Sequence, residues 1–181
     1  MLDFNVIKNI RNDALDSIQK DSDDEKIVGF WRKLTFYSMF YIVPLALGGL
    51  SLWKNISVSD LESYITTGIA IFTGLFFSLL LSIGSKIKAE QLNPNKDKDN
   101  FKSFKIGMTQ IAKITLYNII LGILIFLLIL LNHILKTDCY QYIEMGFTFV
   151  VMYLLGQFIV TLFFMLQRLY FLITDELNNI L

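Results

Sequence analysis

The sequence predicts an all-α polytopic membrane protein: four transmembrane helices, an N-terminal amphipathic helix and a helical hairpin on the cytoplasmic side. Three observations carry that reading. Hydrophobic residues make up 54% of the 181 residues, above the share of an ordinary soluble domain. Four stretches, 34–53, 64–85, 114–135 and 145–166, contain no Asp, Glu, Lys or Arg. At about 1.5 Å per residue each covers roughly 30 to 33 Å, the hydrocarbon thickness of a bilayer. Lys and Arg, finally, crowd onto alternate connections between these stretches.

Residues 1–33 form a cytoplasmic arm and juxtamembrane segment, 34–173 the four-helix membrane domain and 174–181 a cytoplasmic tail. Six cations precede the first span (Lys8, Arg11, Lys20, Lys26, Arg32, Lys33), seven lie in the 86–113 connection, and Arg168 follows the fourth span. Only Lys54 and Lys136 lie in the loops opposite, 54–63 and 136–144. The positive-inside rule therefore places both termini in the cytoplasm. Trp31 and Trp53 bracket the first span as interfacial aromatics do. The outside loops are short, so a surface for a soluble partner is expected on the cytoplasmic side.

In the arm, Phe4, Ile7, Ile10, Ala14 and Ile18 recur at three- and four-residue steps, the pattern of an amphipathic helix. Charges interrupt this end before any long apolar run, unlike a cleavable signal peptide. The stripe needs a cover, and seven acids against six bases before Leu34 favour a protein surface over the membrane. Ser22-x-x-Glu25 and Ser59-x-x-Glu62 have capping-box spacing and are expected to start the first and second spans. The second span is expected to project to Gln91, before Asn93-Pro94-Asn95, with a charged turn at 96–100 and a helix from Phe101 feeding the third. The hairpin 86–113 then presents Lys96, Lys98, Lys102 and Lys105 to a partner or to anionic lipid.

The second span holds the most regular pattern in the chain: Thr66, Ala70, Gly74, Ser78 and Ser82 at four-residue steps. Small residues on one face let another backbone approach closely, so the stripe reads as a packing seam; the alternative is a hydroxyl-lined pore wall in an oligomer. Asn118 and Gln157 fall within the third and fourth spans, where amides usually bond neighbouring helices. Pro44 lies mid-span and predicts a kink, either to fit the bundle or as a hinge. The aromatics of the fourth span read as lipid-facing or packed bulk, and His133 as a solvated helix-end residue.

No catalytic motif is present, and one Cys and one His give no disulfide or zinc cluster. An enzyme, a cofactor and a metal site are not expected. The 16 basic residues balance 16 acidic ones, which gives no field for direct nucleic-acid binding. Spans without an ionisable Asp, Glu, Lys or Arg weigh against a proton-coupled transporter.

The arm before Trp31-Arg32-Lys33, the four lean spans, the basic hairpin from Lys86 to Lys113, the tail from Asp175 to Leu181 and an Ile-, Asn- and Lys-rich composition together resemble the small membrane subunits of bacterial antiphage systems, nearest the four-span subunit of the Kiwa system. The resemblance covers the whole chain and rests on architecture. It implies a homo-oligomer in the bacterial inner membrane, a tetramer by that likeness, that senses phage at the envelope and works with a soluble, DNA-binding cytoplasmic partner. It carries over no residue. The function expected is a non-enzymatic membrane scaffold or sensor, with a pore-forming effector and a small transporter as rivals.

The topology is testable directly. Reporter fusions after residues 20, 95 and 178 should read cytoplasmic, and one near Asn55 should read external. An external signal at 95 would break the assignment.

Overall fold

The computed structural model describes residues 4–20, 30–54, 56–91, 98–134 and 140–178. Helix α1 runs Phe4–Ile18. The first span is α2 (Phe30–Tyr37), a π-helical turn at Ser38–Ile42 and α3 (Val43–Trp53). Then follow α4 (Val58–Gln91), α5 (Lys98–Ile134) and α6 (Tyr140–Asn178). The chain is an all-α, four-span membrane protein: four helical segments are long and apolar enough to cross a bilayer.

The spans form an open row. The first packs on α6, α6 on α5 and α5 on α4, while α4 meets α6 only lightly. The burial of each span's apolar window follows that order: 50% for α5 and 44% for α6 in the middle, 28% for the first span and 17% for α4 at the flanks. A bilayer solvates the exposed Leu, Ile and Phe side chains as well as a protein would, so area burial supplies no drive here. What holds the row is close fit. A Cβ added at Gly156 of α6 would lie 2.7 Å from Pro44 Cα, and one at Gly48 would lie 3.0 Å from the Phe149 ring. Between α5 and α4, a Cβ at Gly122 would meet Ile69 at 3.1 Å.

The kink expected at Pro44 takes a specific form. Proline offers no N–H to the turn behind it. The helix widens there, and Val43 N–H reaches back five residues to the Ser38 carbonyl. Pro44 is buried under Gly156, which favours fitting the bundle over a hinge. On the same side, Phe36 stacks on Phe40 at 5.6 Å between centroids and meets Phe164 of α6 at 5.8 Å. The bulk reading of the α6 aromatics holds for Phe158, which is buried against Phe72 and Phe76 of α4.

Several boundaries differ from expectation. Helix α4 begins at Val58, not at Ser59: Ser57 is the cap, its Oγ accepting from Ser59 N–H at 3.1 Å, while Thr148 Oγ1 of α6 accepts from Val58 N–H at 3.4 Å. Glu62 faces His133 instead of closing a capping box. Helix α4 does end at Gln91, but α5 starts at Lys98, so the expected turn at 96–100 is already helical from 98. The expected tail from 174 is the last turn of α6 as far as Asn178. Ser22-x-x-Glu25 lies outside the described residues.

The close approaches make a test. Gly156→Ala should destabilise the bundle by about 1 to 3 kcal/mol, because its methyl meets backbone that cannot rotate away. Gly74→Ala and Gly84→Ala, where an added Cβ meets nothing within 4 Å, should leave stability unchanged or raise it. Denaturation in mixed micelles measures all three, and equal effects would show that the α3–α6 contact is not what holds the row.

Candidate functional site

Four groupings outside simple apolar packing are built by the fold: a polar seam between α5 and α6, the outward face of α4, the basic end of the molecule and the polar contacts at the opposite end.

The seam contains both predicted amides. Asn118 is fully buried on α5 opposite Thr161 of α6, whose hydroxyl donates to the Asn118 side-chain carbonyl. Gln157 donates to Tyr153 at 3.1 Å and accepts from Tyr117 of α5 at 3.5 Å. One turn toward the basic end, Thr115 Oγ1 lies 3.2 Å from Met165 Sδ. Thr161 has a single proton, and Gln157 O at 2.8 Å and Phe158 O at 3.0 Å are also within its reach. When the proton goes to its own helix, the Asn118 carboxamide turns its NH2 toward Thr161 Oγ1. That alternative gives a partner to Asn118 Nδ2, which among the described residues otherwise has none. With either orientation of the Asn118 carboxamide, one hydrogen bond joins α5 to α6 here. The sequence names the amides but gives no distinctive signal for Tyr117 and Thr161, and Tyr153, which reads there as aromatic bulk, is a hydrogen-bond partner of Gln157.

The small-residue stripe of α4 does not pack within the chain. Val58, Ile65, Ile69, Phe76 and Ile83 form the buried face of this helix. A four-residue step overshoots one turn by about 40°, so the stripe crosses the helix surface obliquely. It starts half-buried at Thr66, which donates to Glu62 O at 2.7 Å, and crosses the exposed positions Ala70, Gly74, Ser78 and Ser82. Ser63, Thr67 and Ser85 lie on that same outward face and were missed. Among the described residues the Ser78 and Ser82 hydroxyls make no hydrogen bond, whereas Ser51, Thr115 and Thr161 all bond back to their own helices. The seam that packs α3 against α6 uses Gly48 and Gly156 instead.

At the basic end the arm is covered from within the chain. Helix α1 packs on α5 with Ala14, Ser17 and Ile18 buried and Ile7 and Ile10 half-buried. Asp13 pairs with Lys113 of α5 at 3.4 Å, and Arg168 of α6 donates to Ser17 O at 3.4 Å. Phe4 and Lys98 are the first residues of α1 and α5, and Lys96 lies outside the described residues. Lys102 and Lys105 are exposed on α5. The cover that the stripe needs is therefore a surface of the chain itself, on α5.

At the opposite end, Glu144 of α6 accepts from Ser57 and, at 3.2 Å, from Ser59, and Glu62 lies 3.8 Å from His133. His133, read as simply solvated, is an exposed residue with an acidic neighbour. Among the described residues no three His, Cys, Asp or Glu side chains are grouped to hold a metal ion.

The seam predicts a measurable coupling. Asn118→Ala and Thr161→Val should each destabilise the bundle. The double-mutant cycle should return a coupling of about 0.6 to 1.7 kcal/mol, the range of hydrogen bonds between membrane helices. Additive effects would mean that the two side chains do not bond.

Searches with the sequence against family models and curated proteins, and with the fold against solved structures, return no match.

Proposed function

We propose that this chain is a non-enzymatic scaffold of the bacterial inner membrane, with both termini cytoplasmic, that senses phage at the envelope and holds a soluble partner at its basic end. The observation that carries the scaffold reading is the asymmetry of the two ends. On one side α4, α5 and α6 run well past their apolar stretches, to Gln91, from Lys98 and to Asn178, and α1 is pinned against them. On the other side only residues 54–57 and 135–139 connect the helices. Lys102 and Lys105 stand eight to eleven residues beyond Lys113, roughly 12 to 17 Å along the helix, which is past the headgroup layer and within reach of a soluble surface. The antiphage assignment is supported by the architectural resemblance to the Kiwa membrane subunit, and so are a homo-oligomer of four copies and a DNA-binding partner.

A pore-forming effector is the second reading. It is favoured by the outward hydroxyls Ser78 and Ser82, which would line a lumen if several copies faced them inward. A small transporter draws no support from the seam, whose members are amides and hydroxyls with no Asp, Glu, Lys or Arg among them.

The readings separate in one set of measurements. Cells carrying the gene and its neighbours should resist phage, and Lys102→Glu with Lys105→Glu should abolish resistance while leaving membrane insertion intact. Purified protein in liposomes should conduct no ions. Ion flux that Gly74→Leu alters would establish the pore in place of the scaffold, and resistance that survives the charge reversal would remove the docking role of the α5 lysines.

A further inference from the structure

The charges of α1 do not cancel where they stand. By sequence the arm is slightly acidic, which argues against adsorption to a membrane. In the structure its two helical acids are both engaged: Asp13 with Lys113 of α5, and Asp16 with Lys20 one turn on, at 3.2 Å. Lys8 and Arg11 remain exposed, and among the described residues neither has an ion-pair partner. Three residues apart, they share one face of the helix.

The level of that face relative to the bilayer follows from the contacts that pin α1. Lys113 and Arg168 are the first charged residues flanking the apolar stretches of α5 and α6 on the basic side. Asp13 and Ser17 bind them, so α1 is held where hydrocarbon gives way to headgroups. Lys86 and Lys88, exposed and also without ion-pair partners among the described residues, end the apolar stretch of α4 at the same boundary.

We propose that Lys8 and Arg11 bind the phosphate groups of anionic phospholipids, making α1 a charged collar that selects these lipids around the bundle. The inference goes beyond the scaffold reading and draws on it only for which leaflet is involved. It distinguishes two sets of cations on the basic side: Lys8 and Arg11 of α1 belong to lipid, and Lys102 and Lys105, a dozen or more ångströms further out, do not.

The test uses the full chain reconstituted in vesicles of equal phosphatidylcholine and phosphatidylglycerol at low ionic strength. Native mass spectrometry then reads the ratio of the two lipids retained. Lys8→Gln with Arg11→Gln should lower the phosphatidylglycerol preference about five-fold per charge, about twenty-five-fold in all. Asn12→Lys, which adds a cation at an exposed position four residues from Lys8, should raise it about five-fold, a gain that misfolding cannot mimic. Lys102→Gln with Lys105→Gln should leave it unchanged. An unaltered preference in the α1 double variant, or a loss carried by the α5 pair, would overturn the proposal. Loss of phage resistance in the α5 variant is a separate readout, so the collar and the scaffold can fail independently.

Discussion

Contact between the backbones of α3 and α6 is the constraint on which the arrangement depends. In hydrocarbon the exposed leucines of either helix gain nothing by meeting, so association has to come from atoms brought closer than lipid tails could lie. Gly156 over Pro44 and Gly48 beside Phe149 provide that closeness at two levels of one interface. With the first span fixed to α6, Phe36 and Phe40 are brought to Phe164. The polar bonds of the α5–α6 seam then join the second pair of helices in the row.

Much of this was legible in the residues. Charge-free stretches of bilayer length gave the spans, because desolvating a charge is costly enough to be nearly excluded from such runs. Asn118 and Gln157 were legible as interhelical for the same reason: an amide in lipid must find a partner. The direction of a helix face was not. The four-residue repeat of α4 is more regular than the spacing of Gly48 and Gly156 on their two helices, yet the regular one faces outward and the irregular pair packs. Small size permits a close approach without requiring one; which glycine is used depends on the helix that comes to meet it.

The two ends differ in how they restrain the helices. At the basic end the restraint is an added helix, joined by an ion pair and a bond to a backbone carbonyl. At the other end the first turn of α4 is tied to α6 through Ser57, Ser59, Glu144 and Thr148. That brings α4 close to α6 at this end, although α5 stands between them in the row. The open side of the bundle is thereby limited to the bilayer and the basic side.

The π-helical turn at Ser38–Ile42 affects the phase of everything around it. The buried positions of the first span are Phe36, Phe40, Pro44, Gly48 and Ser51, almost a strict four-residue repeat. On an unbroken α-helix such a repeat precesses about 40° per step, as the stripe of α4 does, and would leave its neighbour within two turns. A wider turn advances less per residue and takes back the accumulated rotation. Its role is to correct angular drift, which keeps one span flush against a straight partner along its length. Winding the same five residues as an ordinary α-helix would turn the aromatic and glycine halves of the span onto different faces without changing a single side chain.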